Sequence, residues 1–361
     1  MESKKDTNFE LLKVFAMLMI VCHHLITKNA YNIDVELTGL DESRLFLQLI
    51  GNHAFIGNNL FFMVSAWFLC TKTESSVINN TINRVWKLEK VMLFYSIGIP
   101  LIWGAVYGFG GNIFNLGSLF PLAFGKWWYP TAYAIFIVFY PFYQKGLQFL
   151  KKEEVQKLII SMVLLWTVPT IIPVKLQLGA NNITCFFMLY ALIFYIRKFQ
   201  PNWALNKSLL RWVTLGGYAI TFVSIIVLDF FGEKSALINE NACYYIRGDW
   251  RIMPVLISVA MFLWIAQIKM KKNNVINWMG SLTFAIYLIH MHPLMINFLF
   301  KKIFILEPYI GSLKLIPYTI TVTLLIFIGC AFVDQVRKWI YWIVGQTLKK
   351  IWDIRKLKNE K

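Results

Sequence analysis

Ten apolar runs follow one another along the chain and limit its fold more than any other feature. They lie near residues 9–26, 54–70, 91–108, 127–142, 158–172, 183–196, 212–231, 252–268, 278–300 and 315–333. A helix that is apolar over most of its circumference has to be surrounded by protein or by lipid. With 58% hydrophobic and only 15% charged residues, the 361-residue chain has too little polar surface to enclose all ten in a water-soluble core. Lipid is therefore the expected solvent, and spans of about 20 residues are the unit of construction. The expectation is an all-α, polytopic membrane bundle of about ten transmembrane helices, two of them bent by Pro169 and Pro254. The first run contains Lys13, His23 and His24 and lacks a small-residue cleavage site, so it reads as a retained span and not a signal peptide. No separate catalytic domain of ordinary size fits between the runs, so any chemistry belongs inside the bundle.

Ten spans put both termini on one side. The segments on that side, including Lys4, Lys5, Lys72 and the tail to Lys361, hold 25 basic residues, and those on the other side, Lys175 among them, hold 10. That bias assigns the termini to the cytoplasm and the protein to the cell membrane. It also explains the net charge of +17 without nucleic acid, because the basic residues are interleaved with apolar runs and form no single stripe. Residues 1–334 read as the transmembrane domain. Residues 335–361 read as a basic, amphipathic cytoplasmic tail in which Trp339, Ile340, Ile343 and Val344 alternate with cations. Such a tail either lies on anionic membrane lipids or ends as a solvated stop-transfer segment. The five cysteines have no metal-ligand spacing and read as small buried hydrophobes.

Ionisable residues inside spans are costly and mark candidate sites. Lys13 and His24 are eleven residues apart on the first span, about 16 Å along the axis and within about 20° of one face. One reading has a cation and an imidazole lining a polar shaft; the other has Lys13 snorkelling to one interface and His24 among headgroups at the opposite one. His23 faces elsewhere, and His53 opens the second span. His290 lies deep in the ninth span and should face the bundle, and His292 precedes Pro293. No HExxH-like pair supports a metal site, and none is expected.

The stretch from Asn8 to His24, with a cation at Lys13 and a histidine eleven residues later, resembles the opening of the family-3 membrane acyltransferases, in which the cation is usually Arg. Four further segments are similar to that family in the same order. Gly57, Leu60, Phe61, Phe62 and Ser65 follow its second-helix pattern, with Ala66 where Gly is commoner. Arg84 and Lys87 stand where it places two arginines. Trp128, Tyr129 and Tyr133 match an aromatic span of its Gram-positive members, and Tyr287 to His290 match a Tyr-Leu-Ile-His run near the end. Lysine for arginine at positions 13 and 87 keeps the charge but loses the planar fork of donors.

The resemblance implies an O-acyltransferase, normally an O-acetyltransferase, moving an acyl group from cytoplasmic acetyl-CoA to a hydroxyl of a surface polysaccharide or lipid-linked sugar. It implies catalytic roles for His24 and Lys13, with His24 as general base or as transient acyl carrier. The donor's phosphates would lie against Arg84, Lys87 and Lys90. Asn58, Asn59, Ser65, Trp128, Tyr133 and His290 are the candidate acceptor contacts, though aromatics also form interfacial belts and amides also join helices. Some members carry an extracytoplasmic hydrolase-like domain, which is not expected here. Buried His and Lys in a ten-span bundle also suit a transporter or flippase for a glycan or small anion, and a membrane sensor is a third reading.

Overall fold

The computed structural model describes residues 6–71, 74–110, 114–172 and 178–359, and within them every element is helical. Lys4, Lys5, Lys72, Lys175 and Lys361, used above to assign sidedness, lie outside the described residues. The principal helices are α1 (Thr7–Thr27), α2 (Glu42–Gly51), α3 (Ala54–Leu69), α4 (Glu74–Tyr107), α5 (Trp128–Phe149), α6 (Lys152–Trp166) and α7 (Asn182–Phe199). They continue with α8 (Lys207–Gly232), α9 (Ile252–Ala266), α10 (Asn274–Gly280), α11 (Thr283–His290), α12 (Pro293–Phe298) and α13 (Leu315–Asn359). Polar residues set many of the starts. Asp41 accepts the Arg44 amide at 2.8 Å to open α2, Asn181 accepts two amides to open α7, Asn206 accepts one to open α8, and Asn273 accepts two to open α10. Each satisfies amides that the first turn leaves without an intrahelical partner.

All ten apolar runs are helical where described, and among the described residues six helices are both long and apolar enough to cross a membrane: Thr7–Thr27, Asn80–Tyr107, Lys152–Ile171, Asn182–Phe199, Lys207–Gly232 and Leu315–Thr347. The run at 278–300 is broken: Thr283–His290 and Pro293–Tyr309 meet at 69° and amount to one bent span at most. Pro293, which cannot continue the preceding ladder, sits at the break. The runs at 54–70 and 252–268 form helices of 16 and 15 residues, about 24 Å long and short of a hydrocarbon core of about 30 Å. The last helix is continuous across residue 334, so the basic segment extends the final span. Trp339 to Val344 expose their apolar side chains on several faces of it.

The first helix, α1, is the axis of the bundle, and 67% of its apolar window is buried. It packs against α2, α3, α9, α10, α11 and α13. The α6 window, by contrast, is only 17% buried and presents its apolar face outward, as a lipid-facing helix does. Helices α1 and α3 cross closely. A methyl added at Gly57 would lie 2.8 Å from the Ala16 carbonyl oxygen, so the two backbones approach this far only because position 57 has no side chain. That gives the glycine of the second-helix pattern a physical cause. Helices α10 and α11 rise alongside α1, from Gly280 packed on Glu10 to His290 beside His24. The first of these contacts marks the near end of the bundle and the second its far end.

Buried polar networks fasten the two ends. At the far end Arg44, fully buried, donates from Nε to Asp229 at 3.0 Å and from Nη2 to the Asn239 carbonyl at 2.6 Å. Gln48 adds a bond to the same carboxylate oxygen at 3.2 Å. These bonds tie α2 to α8 and to the segment that follows α8, and Arg247 pairing with Asp34 at 2.8 Å ties the connection before α2 to the one after α8. At the near end the Tyr95 hydroxyl donates to Asp334 at 2.6 Å, and Arg337 donates to the same oxygen at 2.6 Å.

Candidate functional site

The His24 and His290 side chains meet inside the bundle, with His24 Nδ1 3.0 Å from His290 Nε2. His290 is fully buried and His24 nearly so. The hydrogen-bond pattern assigns both tautomers. The Ile286 carbonyl, 2.6 Å from His290 Nδ1, can only accept, so His290 Nδ1 carries a proton. In the neutral ring Nε2 then has the lone pair and accepts from His24 Nδ1. His24 is left with its own lone pair on Nε2, the nitrogen away from His290. A neutral imidazole with a fixed free nitrogen is the form a general base requires. Among the described residues no group of three metal-ligating side chains forms around this pair, and each contact within it is accounted for as a hydrogen bond. His23 turns away and contacts the Gly51 carbonyl; His53 packs edge-on against Tyr218.

Toward the near end from the pair lies a narrow cavity of about 10 Å³, lined by Met17, Ile20, Asn58, Phe61, Tyr129, Phe284 and Tyr287, with room for about one water. The Tyr287 ring is 6.3 Å from that of His24. Among the described residues, the space below the imidazole is a narrow slot. Lys13 lies farther down, half-buried, and pairs with Glu10 at 2.9 Å. Lysine and histidine share α1 but belong to different levels of the bundle.

Asn58 and Asn59 are turned toward a carboxylate that the sequence does not single out. Asn58 donates to Asp249 Oδ1 at 3.0 Å, Asn182 to Oδ2 at 2.7 Å, and Asn59 to the Asp249 carbonyl at 2.8 Å. These bonds hold the connection between α8 and α9 against α3 and α7. Asp249 is almost completely buried. Burial raises its carboxyl to about 7, an effect that the Asn58 amide partly opposes. The folded state therefore holds this proton more tightly than the unfolded chain, whose carboxyl titrates near 3.9. The contribution to stability is complete below about pH 4 and is lost as pH rises through about 7. Asp249→Asn cannot ionise, so its melting temperature should gain on the wild type between pH 4 and pH 7. Parallel melting curves for the two proteins across that range would contradict the assignment.

A family model described as an acyltransferase domain matches residues 6–334. The chain belongs to the family-3 acyltransferases. Searches of curated proteins and of solved structures returned no match.

The remaining candidate residues of this acyltransferase are dispersed. Arg84 points inward, 5.8 Å over the Tyr140 ring, whereas Lys87 and Lys90 are exposed on the same helix and Lys90 lies 5.4 Å over Trp86. Tyr133 packs edge-on against Phe62 of α3 at 6.4 Å. Trp128 is exposed at the first turn of α5. His24 and His290 are brought into direct contact, and Asn58 lines the cavity on their near side.

Glu10, Asp249 and Asn182 were missed by the sequence reading. Glu10 was within reach, because an acid three residues before a lysine on one helix is a recognisable ion pair. Asp249 and Asn182 are in no periodic pattern, and their roles exist only through contacts with distant helices.

Proposed function

We propose that the protein transfers an acyl group, acetyl in the simplest case, from acyl-CoA on the cytoplasmic side to a hydroxyl of a surface polysaccharide or lipid-linked sugar on the other. The observation that carries this reading is the His24–His290 contact, which leaves His24 Nε2 free inside the bundle of an acyltransferase. In the direct route His24 Nε2 takes the acceptor hydroxyl proton as that oxygen attacks the thioester carbonyl. The tetrahedral intermediate then collapses with cleavage of the C–S bond, and the departing CoA thiolate recovers the proton from the imidazolium. His290 stays neutral throughout, stabilising the transient positive ring through its Nε2 lone pair. In a two-step route the same nitrogen carries the acyl group briefly before the sugar oxygen displaces it.

In this scheme the nucleotide rests at the near end, its phosphates against Arg84, Lys87 and Lys90, with Lys13 at the foot of the slot. Insertion of the pantetheine arm requires the slot between α1, α3, α5 and α11 to widen from its one-water volume. Membrane vesicles supplied with acetyl-labelled acetyl-CoA provide the test. Label should enter surface glycan in vesicles with the wild-type protein and stay out in vesicles without it, and label that remains on CoA in both would remove the reading.

The 69° break at His290–Pro293 favours one alternative, a glycan flippase, since transporters place broken helices at their substrate sites. An inverted-repeat transporter calls for a second broken span in the corresponding half, and one bent pair occurs among the described residues. CoA-independent movement of glycan across the vesicle membrane would decide for it.

A further inference from the structure

Just beyond the histidine pair, the chain buries two hydrogen-bond donors that have no acceptor. Trp127 and His292 are each about 98% buried, and their rings are 5.9 Å apart. His292 Nδ1 accepts the Leu294 amide at 3.3 Å and so caps α12. The proton of the neutral ring is therefore on Nε2. Neither that Nε2–H nor the Trp127 Nε1–H meets a hydrogen-bond partner. Buried donors left this way forfeit their hydration with nothing in return, so two of them on adjoining rings call for an oxygen atom between or beside them. A cation completes the group. Lys126 Nζ lies 5.7 Å from the Trp127 ring and is positioned by the hydroxyls of Ser96 at 2.8 Å and Ser118 at 3.2 Å. Neutral serine hydroxyls orient the ammonium without cancelling its charge. The neighbouring cysteine, asparagine and carboxylate groups around Asp249 are already committed to one another.

We propose that Lys126, Trp127 and His292 form a subsite for an anionic oxygen group, a carboxylate or phosphate, carried by the acyl acceptor. This rests on the acyl-transfer reading for the word acceptor, but the anion site itself does not depend on it. Two N–H donors and an ammonium are complementary to a negatively charged oxygen group. Their place two residues past His290 would hold such a group close to the reacting hydroxyl while leaving the His24 base untouched.

The test uses the full chain with ¹⁵N-labelled indoles in phosphatidylcholine nanodiscs. Trp127→Phe removes one of the fourteen indole resonances and thereby assigns Trp127. Glucuronate and glucose 1-phosphate should move that resonance, and glucose should not. Lys126→Met should weaken both responses about tenfold or more, as loss of a charge-assisted contact does. His292→Asn, which retains a side chain able to cap α12, should weaken them as well. An unmoved resonance, an equal response to glucose, or unchanged binding by Lys126→Met overturns the proposal. A response to phosphatidylglycerol in the disc without sugar overturns it in favour of a lipid headgroup. Acyl transfer is measured in the same discs. Activity without a Trp127 response overturns the subsite alone, whereas a response without activity overturns the acyl-transfer reading and leaves an anion site.

Discussion

His24→Ala should lower the rate of acyl transfer by about 10²–10⁴-fold, the usual contribution of a positioned base, with the loss in kcat and little change in acceptor KM. The side chain occupies a small buried volume, so the variant should still fold, and its melting curve is the control. His290 gives a sharper result because its role is indirect. It fixes the His24 tautomer by accepting from Nδ1 at 3.0 Å while its own Nδ1 proton is held by Ile286. His290→Ala removes that acceptor, so the His24 proton is free to move to Nε2 and the ring loses its anchor. A drop in kcat of about tenfold or more is expected, by analogy with other bases deprived of their orienting partner. His290→Gln presents a carbonyl oxygen that can accept from the same nitrogen and should recover a large part of the loss. A merely space-filling role for His290 would make glutamine no better than a small apolar residue. Equal activities of the alanine and glutamine variants would therefore refute the positioning role, and wild-type activity in His24→Ala would remove His24 from the mechanism.

Arg44→Ala should produce the largest loss of stability. It leaves the buried Asp229 carboxylate without its guanidinium partner, keeping only the Gln48 amide, and Asp229 Oδ2 already has no hydrogen bond. Breaking a buried pair from one side typically costs about 3–5 kcal/mol, which would lower the melting temperature in detergent by about 5 °C or more. Loss of the guanidinium also frees the carbonyls of Ile33 and Asn239, so the connections over the far end should loosen together. Replacing both partners at once, Arg44→Met with Asp229→Leu, should recover most of the loss, because it abolishes the stranded charge as well as the attraction. A melting temperature for Arg44→Ala equal to that of the wild type would show that water reaches this pair.

Much of the candidate site was legible one helix at a time. The interval of eleven between Lys13 and His24 places both on one face of α1, and the patterns around Gly57 and His290 mark the two helices that pack beside it. The number of spans was less legible. Apolar runs identify helices, but whether a run is long enough to cross lipid depends on where turns such as those at His53 and Gln267 cut it. The same applies to Asn58 and Asn59. Their polarity in a span marks them as important, while their partner, Asp249, is 190 residues or more away in sequence.

The sequence by itself determined an all-helical chain adapted to lipid, its family, and the helices on which the cation and the imidazole stand. The helical character and the placement of those residues are consequences of composition and of the 3.6-residue period, and the family is carried by short motifs in a fixed order, all of them local properties. Only the tertiary structure decided that His24 pairs with His290, that its free nitrogen is Nε2, that Asp249 gathers Asn58, Asn59 and Asn182, and that Lys126, Trp127 and His292 come together. The physical reason is that periodicity records which face of a helix avoids water but carries no information about which other face it meets. Hydrogen bonds act over about 3 Å, so the proton arrangement at the site exists only once distant helices have packed.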